Sequence, residues 1–508
     1  MRIRIAFLAA TVVIVSASIA GPTAVAATCR RAIVVNDSGD APVATNGQLR
    51  TAIAEVCNGG TIIVEPGLVI TLAQGQLVIP AGKSITIKGP ATIDANGASR
   101  VIWVQIGATL ALKNIVVRGG SAAGINNQGT LTLKNGNVTA NGRAGVLNTG
   151  SVTLIKRARV SGNQGTGVLN DIDSGVFPER VGQLTLKDDS SISENTGVSF
   201  GSTGPVGGGI VNLGVTTLND TSVVKDNVAS VGGGIYNADR IADSPTGLVV
   251  LNHHSSISGN VATVRGGGVF NDFGVAASAR VVLNDSSTVT HNDGAGLSGR
   301  GRMILNDFSK VSNNTFGIAG ERGVVVLNGS SRVFANEFLG VSVFGTGVTL
   351  NDQSSVTGNG GRGIGALEAN VILNDESSVT QNQNGGVTVF AGQVIMNGAS
   401  SIRDNVTAGN GGGIHIESCC AVIMNGSSTI AENRASLGGG IFMLGDPVAP
   451  GETPSVSVTL HDSTTITGNV ATAGQGGGVY SDGGMVTLND ASSIFANIPD
   501  NCYPPGTC

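Results

Sequence analysis

Apolar and polar positions recur along this chain in a fixed order. Residues 283–292 read LNDSSTVTHN, and 186–195 (LKDDSSISEN), 218–227 (LNDTSVVKDN) and 251–260 (LNHHSSISGN) repeat the pattern. Further copies open at Leu305, Leu327, Leu350, Leu373, Met396, Met424, Leu460 and Leu488, with weaker ones at Leu133 and Leu154. The opening Leu or Met has an apolar residue two places before it, as in Val281, Met303, Val325, Val348 and Val371. That alternation is a strand with one inward face. Six residues later stands a β-branched residue such as Val289, Val311, Val333 or Ile402, which belongs to a second strand. The Ser two places before it (Ser287, Ser309, Ser331, Ser354, Ser377) shares its parity and points inward as well. A third strand is marked by Gly followed by an aliphatic residue, as in Gly209-Ile210, Gly268-Val269 and Gly363-Ile364, where the corner needs a backbone without a Cβ or with positive φ.

Each unit therefore predicts three short strands and three turns. Unit starts are 22 or 23 residues apart from Leu283 to Met396, and 32 or 33 apart in others through local insertions. One unit cannot bury its own apolar face, so the units must stack, at ~4.8 Å per coil, with parallel pairing between neighbours. The fold class expected is all-β, a right-handed parallel β-helix solenoid. A left-handed β-helix runs on hexapeptides, and 22 is not a multiple of six. An immunoglobulin-like array needs longer strands at regular spacing.

The N-terminal part is less regular. Residues 46–56 read as a short amphipathic helix with Leu49, Ile53 and Val56 on one face, placed to cap the open end of the solenoid. Residues 61–64, 68–72, 77–79 and 84–87 alternate like strands. Before them, Arg2 and Arg4 precede an apolar run and the small residues Ala24 and Ala26, which reads as a secretory signal peptide. A membrane anchor fits less well, because the run is short and rich in Ala and Ser. A lipid on Cys29 lacks the expected residues before it. The organisation expected is a signal peptide over 1–26, an N-terminal cap over 27–60, the β-helix over 61–498 and a tail over 499–508. No later stretch is apolar and long enough to cross a bilayer as a helix. The location expected is extracellular, secreted or associated with a cell surface.

Composition sharpens this picture. Gly makes up 78 of 508 residues, charged residues are 12% and aromatics 3%, yet the chain is 41% hydrophobic. Those apolar residues are mostly Val, Ile and Leu, which suits short strands between tight turns. With a net charge of -5 and no basic patch interleaved with aromatics, nucleic acid is not an expected partner. Secretion permits disulfides. Cys29 and Cys57 bracket the cap, Cys502 and Cys508 bracket the tail, and stacked coils separate the two ends by far more than the ~7 Å Cα limit. The pairs expected are Cys29–Cys57 and Cys502–Cys508. The adjacent Cys419 and Cys420 either bridge each other or stay free.

The Gly-Gly-Gly-Ile/Val runs ending at Ile210, Ile235, Val269, Ile414, Ile441 and Val479, with Phe334-Ala335-Asn336 and Phe495-Ala496-Asn497, resemble the repeats of bacterial right-handed β-helix surface proteins. The polymorphic outer membrane proteins are among these, within the wider group of pectate lyase-like β-helices. Leu49-Arg50-Thr51-Ala52-Ile53 before Gly59-Gly60-Thr61-Ile62 is similar to the entry segment of such proteins. The resemblance covers nearly all of the mature chain. It implies an extracellular surface or adhesin-like role and no particular chemistry. Its autotransporter members end in a β-barrel, whereas this chain ends on Cys502 to Cys508, so membrane anchoring is not carried over.

The same fold hosts pectate lyases, polygalacturonases and pectin methylesterases, so an extracellular polysaccharide lyase or glycoside hydrolase is the alternative reading. The Asn-Thr-Asp, Gly-His-Gly and Arg-Ile-Lys motifs of polygalacturonases do not occur. His253 and His254 occupy repeat positions held elsewhere by Asn or Asp, and read as turn residues. Asp recurs two residues after the strand Leu (Asp188, Asp220, Asp285, Asp307, Asp352, Asp375, Asp462, Asp490), as a turn residue or as an acidic corner for Ca²⁺. Gly329, Gly398 and Gly426 interrupt that row, and neither a metal nor a cofactor is expected. Insertions after the third strand, at 171–182, 238–247, 272–279, 416–420 and 444–454, are expected to project from one edge. That edge is the candidate ligand-binding face, with Asp171, Asp173, Glu179, Arg180, Asp239, Arg240 and Asp243 on it and Phe177 and Phe273 as its aromatics. The expected partner is an extracellular polysaccharide or a host or other cell surface, and no residue is assigned a catalytic role.

Overall fold

The computed structural model describes residues 29–173, 179–199, 204–239, 246–272, 279–445 and 454–508. The expected signal peptide lies outside these residues. The chain is a parallel β-solenoid of about 18 turns.

Three parallel sheets run its length. Strands such as Arg280–Leu283, Arg302–Leu305 and Val325–Leu327 form the first, with Val281 opposite Met303 and Leu283 opposite Leu305. Thr288–Thr290, Lys310–Ser312 and Arg332–Phe334 belong to the second, with Val289, Val311 and Val333 in register. The third holds Ala295–Gly299, Phe316–Glu321, Val341–Phe344 and Ile364–Leu367. Near the N-terminus the strands Ser84–Asp94 and Thr109–Arg118 turn the corner and serve both the first and second sheets.

The expected parity holds. Leu283, Leu305, Val289, Val311, Leu297 and Ile318 are buried in one continuous core, and Lys310 is exposed. Ser287, Ser309, Ser331 and Ser377 face that core, and among the described residues their hydroxyls find no hydrogen-bond partner. Glycine before the third strand answers to close approach. A Cβ on Gly209 would stand 2.7 Å from the Gly234 carbonyl oxygen of the next coil.

Buried asparagines fasten the corner between the second and third sheets. Asn141 opens a row that runs through Asn163, Asn195, Asn227, Asn260 and Asn292 to Asn497, and from Asn163 on each Oδ1 accepts both the backbone N–H and the Nδ2 of the Asn one coil before it. A second buried row, Asn127–Asn148–Asn170–Asn212–Asn237–Asn271, closes the exit of the third strand in the earlier coils. A third, partly buried row runs from Asn219 to Asn425 after the first strand. The recurring Asp beside it is a turn residue with φ near +55°, and its carboxylate accepts the backbone N–H of the preceding coil, as Asp307 does from the Asp285 N–H at 3.1 Å. Gly329, Gly398 and Gly426 replace it because they too adopt positive φ, between +64° and +73°. His253 holds φ at +57° in the same row, and its Nδ1 receives the Asp220 N–H at 3.3 Å.

At the N-terminus the helix spans Leu49–Glu55 and buries Leu49, Ala52 and Ile53 in the core. Val56 opens the following strand instead of ending the helix. Sequence pattern missed the strand Arg30–Val35, which pairs in parallel with Val56–Val64 and carries only two buried side chains, Ile33 and Val35. Cys29–Cys57 and Cys502–Cys508 are bonded, with Cα–Cα distances of 4.8 and 6.1 Å. Cys419 and Cys420 are free thiols, the first exposed and the second buried.

A second layer lies outside the third sheet in two places. Val198–Ser199, Pro205–Val206, Val228–Val231 and Val261–Arg265 form one small sheet, and Arg434–Leu437 and Val470–Gln475 form another. These segments follow a buried Asn and precede the Gly-Gly-Gly run, with sequences VASV, VATVR, RASL and VATAGQ. Sequence reading located insertions only after the third strand. Long units in fact insert at both ends of it, and the segment before it is a strand.

Candidate functional site

The third strand alternates like the others, so every second side chain leaves the solenoid. Its first outward position reads Leu147, Leu169, Val211, Tyr236, Phe270, Ser298, Ala319, Ser342, Gly365, Thr388, His415, Phe442, Tyr480 and Tyr503 in successive coils. Large side chains occupy both ends of this row and small ones its middle. The large ones lie beneath or beside the outer layer. Leu169 and Val211 pack with Val198 and Val206 in a small separate core, with Tyr236 and Val231 against it. Tyr236 stacks on Phe270 at 5.9 Å, and at the other end Phe442, Tyr480 and Tyr503 stack in series.

Between them, from Ser298 to Thr388, no outer strand lies over the sheet among the described residues. The face becomes a trough with a floor of Ser298, Ala319, Ser342, Gly365 and Thr388, four coil steps or roughly 19 Å long. A Cβ built on Gly365 would meet no atom within 4 Å. Phe316 and Phe338, stacked at 5.3 Å, stand at the entry of the third strand on one side. The second outward position supplies the other wall: Phe344, Leu367 and Phe390, with Leu367 45% exposed. Charge gathers at the ends. Arg265 and Arg300 both reach Glu321, at 3.3 and 3.4 Å, and His415 lies 3.6 Å from Glu417. A recess of about 390 Å³ opens at the first end, lined by Val264, Phe270, Ser298, Phe316 and Phe344. The Ser298 hydroxyl there is buried and has no hydrogen-bond partner among the described residues. Tyr236 donates to Asp272 at 3.0 Å, and burial together with that carboxylate pushes its phenol well above the usual range.

The residues singled out in the sequence lie elsewhere. Asp173 and Arg180 sit opposite one another in a short antiparallel hairpin, Ile172–Asp173 with Arg180–Val181. Arg180 donates to the Gln128 carbonyl oxygen, which ties the base of this insertion to an earlier coil; residues 174–178 of the insertion lie outside the described residues. Arg180 borders a recess of about 370 Å³ with Thr109, Thr130, Thr149 and Ser151. Glu179 is exposed, Asp171 is partly buried, and Asp239 is buried two coils further on. Arg240, Asp243, Phe177 and Phe273 lie outside the described residues. In the Asp row, one carboxylate oxygen of each bonded member is engaged by backbone.

The sequence did carry a signal for the trough. Once units are aligned on the Gly-aliphatic pair, the next residue changes from large to small and back. A search for aromatics confined to insertions passes over Phe316, Phe338, Phe344 and Phe390, which come from regular coils. Comparison with protein-family models and with curated proteins finds no match to this chain.

Proposed function

We propose that this chain is a secreted or cell-surface right-handed β-helix protein with a structural, adhesin-like role, and that the trough on the third sheet is its contact surface for an extended ligand on a cell surface. The observation that supports this is the interrupted outer layer. The protein covers its third sheet with its own segments near coils 206–265 and 434–475, and leaves a run of small residues walled by phenylalanines between them. Exposed apolar area of this kind marks a contact surface. The right-handed sense rests on the strong general preference of parallel crossovers and on the resemblance to bacterial β-helix surface proteins. Extracellular location rests on the signal-like N-terminus and the two disulfides.

Gly365→Trp tests the reading, because it fills the trough floor where an added side chain meets open space. Binding of purified protein to cells or cell-wall material should be lost, with thermal stability unchanged. Unchanged binding refutes the trough. A panel of polysaccharides assayed for new reducing ends and unsaturated products tests the enzymatic alternative. Robust turnover abolished by one carboxylate substitution, at Asp171, Asp173 or Glu179, would overturn the binding role in favour of catalysis.

A further inference from the structure

We infer that the trough's first end takes an extended polypeptide segment, which adds as a parallel strand beside Val261–Arg265. This rests on the reading of the trough as a contact surface, and names the class of ligand.

The argument begins with how the molecule treats the same surface elsewhere. Outside the third sheet, Val206, Val228–Val231 and Val261–Arg265 pair in parallel from coil to coil, above the outward side chains of the third strand. The ladder then stops. Toward the next coil, among the described residues, Val261–Arg265 has only the bridge from Val261 to Asp293 and the bond from the Ala262 N–H to the Asp293 carbonyl oxygen. In a parallel strand alternate residues present their N–H and C=O to the same side. The register slips between Ala262 and Arg265, but the Arg265 carbonyl oxygen accepts the Gly232 N–H of the coil before, so Val264, next to it in the strand, faces the other way, toward the trough, and is 66% exposed. A sheet edge of this kind is a template for another strand.

The floor beyond the edge suits such a strand. Ser298 lines the recess at the next strand position, and among the described residues its buried hydroxyl has no partner, as is also true of the core-facing serines. Phe270, Phe316 and Phe344 surround the recess as a socket for an apolar side chain. The protein's own outer strands show what fits. Four of them carry Ala then Ser or Thr after a larger residue, and that Ala is the buried position in Ala229, Ala435 and Ala471. A segment of the same form, supplied by a partner, continues the ladder.

The probe is a labelled peptide with the sequence of residues 225–234 (KDNVASVGGG), titrated against the full chain by fluorescence anisotropy, with amide hydrogen exchange read at residues 262–265. Saturable binding with slowed exchange at Val264 is expected. Val264→Pro removes the edge donor and should weaken binding by roughly tenfold, the scale of one lost hydrogen bond with its acceptor stranded. A peptide with Glu in place of its Ala should fail on the unaltered protein, which keeps the test independent of how Val264→Pro folds. No binding up to millimolar peptide, or equal binding of the Glu peptide, overturns the proposal. Cell binding that is lost in Gly365→Trp but kept in Val264→Pro leaves the trough standing and assigns it to a glycan or another ligand. Cell binding kept in both refutes the trough itself.

Discussion

The side-chain oxygen of Asn314 receives two hydrogen bonds from Asn292 one coil earlier, from its backbone N–H at 3.0 Å and its Nδ2 at 2.9 Å. The Nδ2 of Asn314 then passes to Asn336 and to the Val289 carbonyl oxygen. Each Asn thus satisfies a corner where strand pairing lapses, and buried polar groups at such corners are costly if left open.

This gives a contrast within one coil. Asn314→Ala strands the backbone N–H of Asn292 and takes the Asn314 Nδ2 from the Val289 carbonyl oxygen and from Asn336 Oδ1, and with unsatisfied buried groups costing about 1–3 kcal/mol each, a local loss of ~3 kcal/mol is expected. Ser309→Ala removes a hydroxyl that has no partner, so it should be neutral or slightly stabilising. Hydrogen exchange of the flanking coils measures both. Equal losses would mean that Ser309 has a partner, such as a bridging water, and that the Asn row is no stronger than the Ser row.

Strand parity gives the second prediction. Val311 is fully buried and Lys310, its neighbour, is exposed. Val311→Asp places an unpaired charge in the core at a cost of several kcal/mol and should open the surrounding coils. Lys310→Asp should change stability by less than about 0.5 kcal/mol. Urea unfolding of the two variants decides it, and similar shifts in midpoint would refute the register.

These inner rows were legible because stacking forces like residues over like residues, so the repeat appears directly as Leu, Ser, Val and Asn at fixed intervals. The outer layer was not. VASV and VATVR are too short to show alternation, and without the fold they read as longer turns. The segment bearing Asp173 and Arg180 was legible as an insertion, but the tie at its base was not. That tie is a contact from Arg180 to Gln128, across a separation of 52 residues that no local pattern encodes. The trough was hidden for the opposite reason: its residues belong to the most regular coils, where no insertion draws attention to them.

Acid should loosen the N-terminal region first. Asp40 has a buried side chain that accepts from Arg50 Nε at 2.6 Å and from the backbone N–H groups of Ala73 and Gln74 at 2.9 Å. Burial alone would raise its pKa, but the Arg50 guanidinium and those N–H groups hold it below the usual carboxylate value. A depressed folded pKa gives stability that is present above the unfolded value near 4 and is lost as the pH falls below it. Exchange protection over residues 49–76 should therefore decline below about pH 4, ahead of the central coils. Asp40→Asn should lose about 3 kcal/mol locally at neutral pH, because Arg50 is left without its carboxylate, and should flatten the acid response. An acid response unchanged by Asp40→Asn would place its origin elsewhere.

Removing whole coils tests whether binding is spread along the trough. Deleting residues 306–327 joins Leu305 to Asn328 and removes one coil. Asn336 then takes the place of Asn314 beneath Asn292, and Val333 that of Val311 beneath Val289. Deleting residues 306–373 removes three coils and joins Leu305 to Asn374, again at equivalent positions. Because solenoid stability is close to a sum of neighbouring interfaces, both products should fold, each somewhat less stable than the full chain. The first deletion takes Ala319 from the floor and Phe316 from the wall, and the second takes Ala319, Ser342 and Gly365 with Phe316, Phe338, Phe344 and Leu367 from the walls. Binding to cells should weaken stepwise, moderately after one coil and severely after three, if an extended ligand contacts successive coils. Complete loss after the one-coil deletion would instead confine recognition to residues 306–327 and the recess beside them. Full retention after the three-coil deletion would remove the trough from the binding surface altogether.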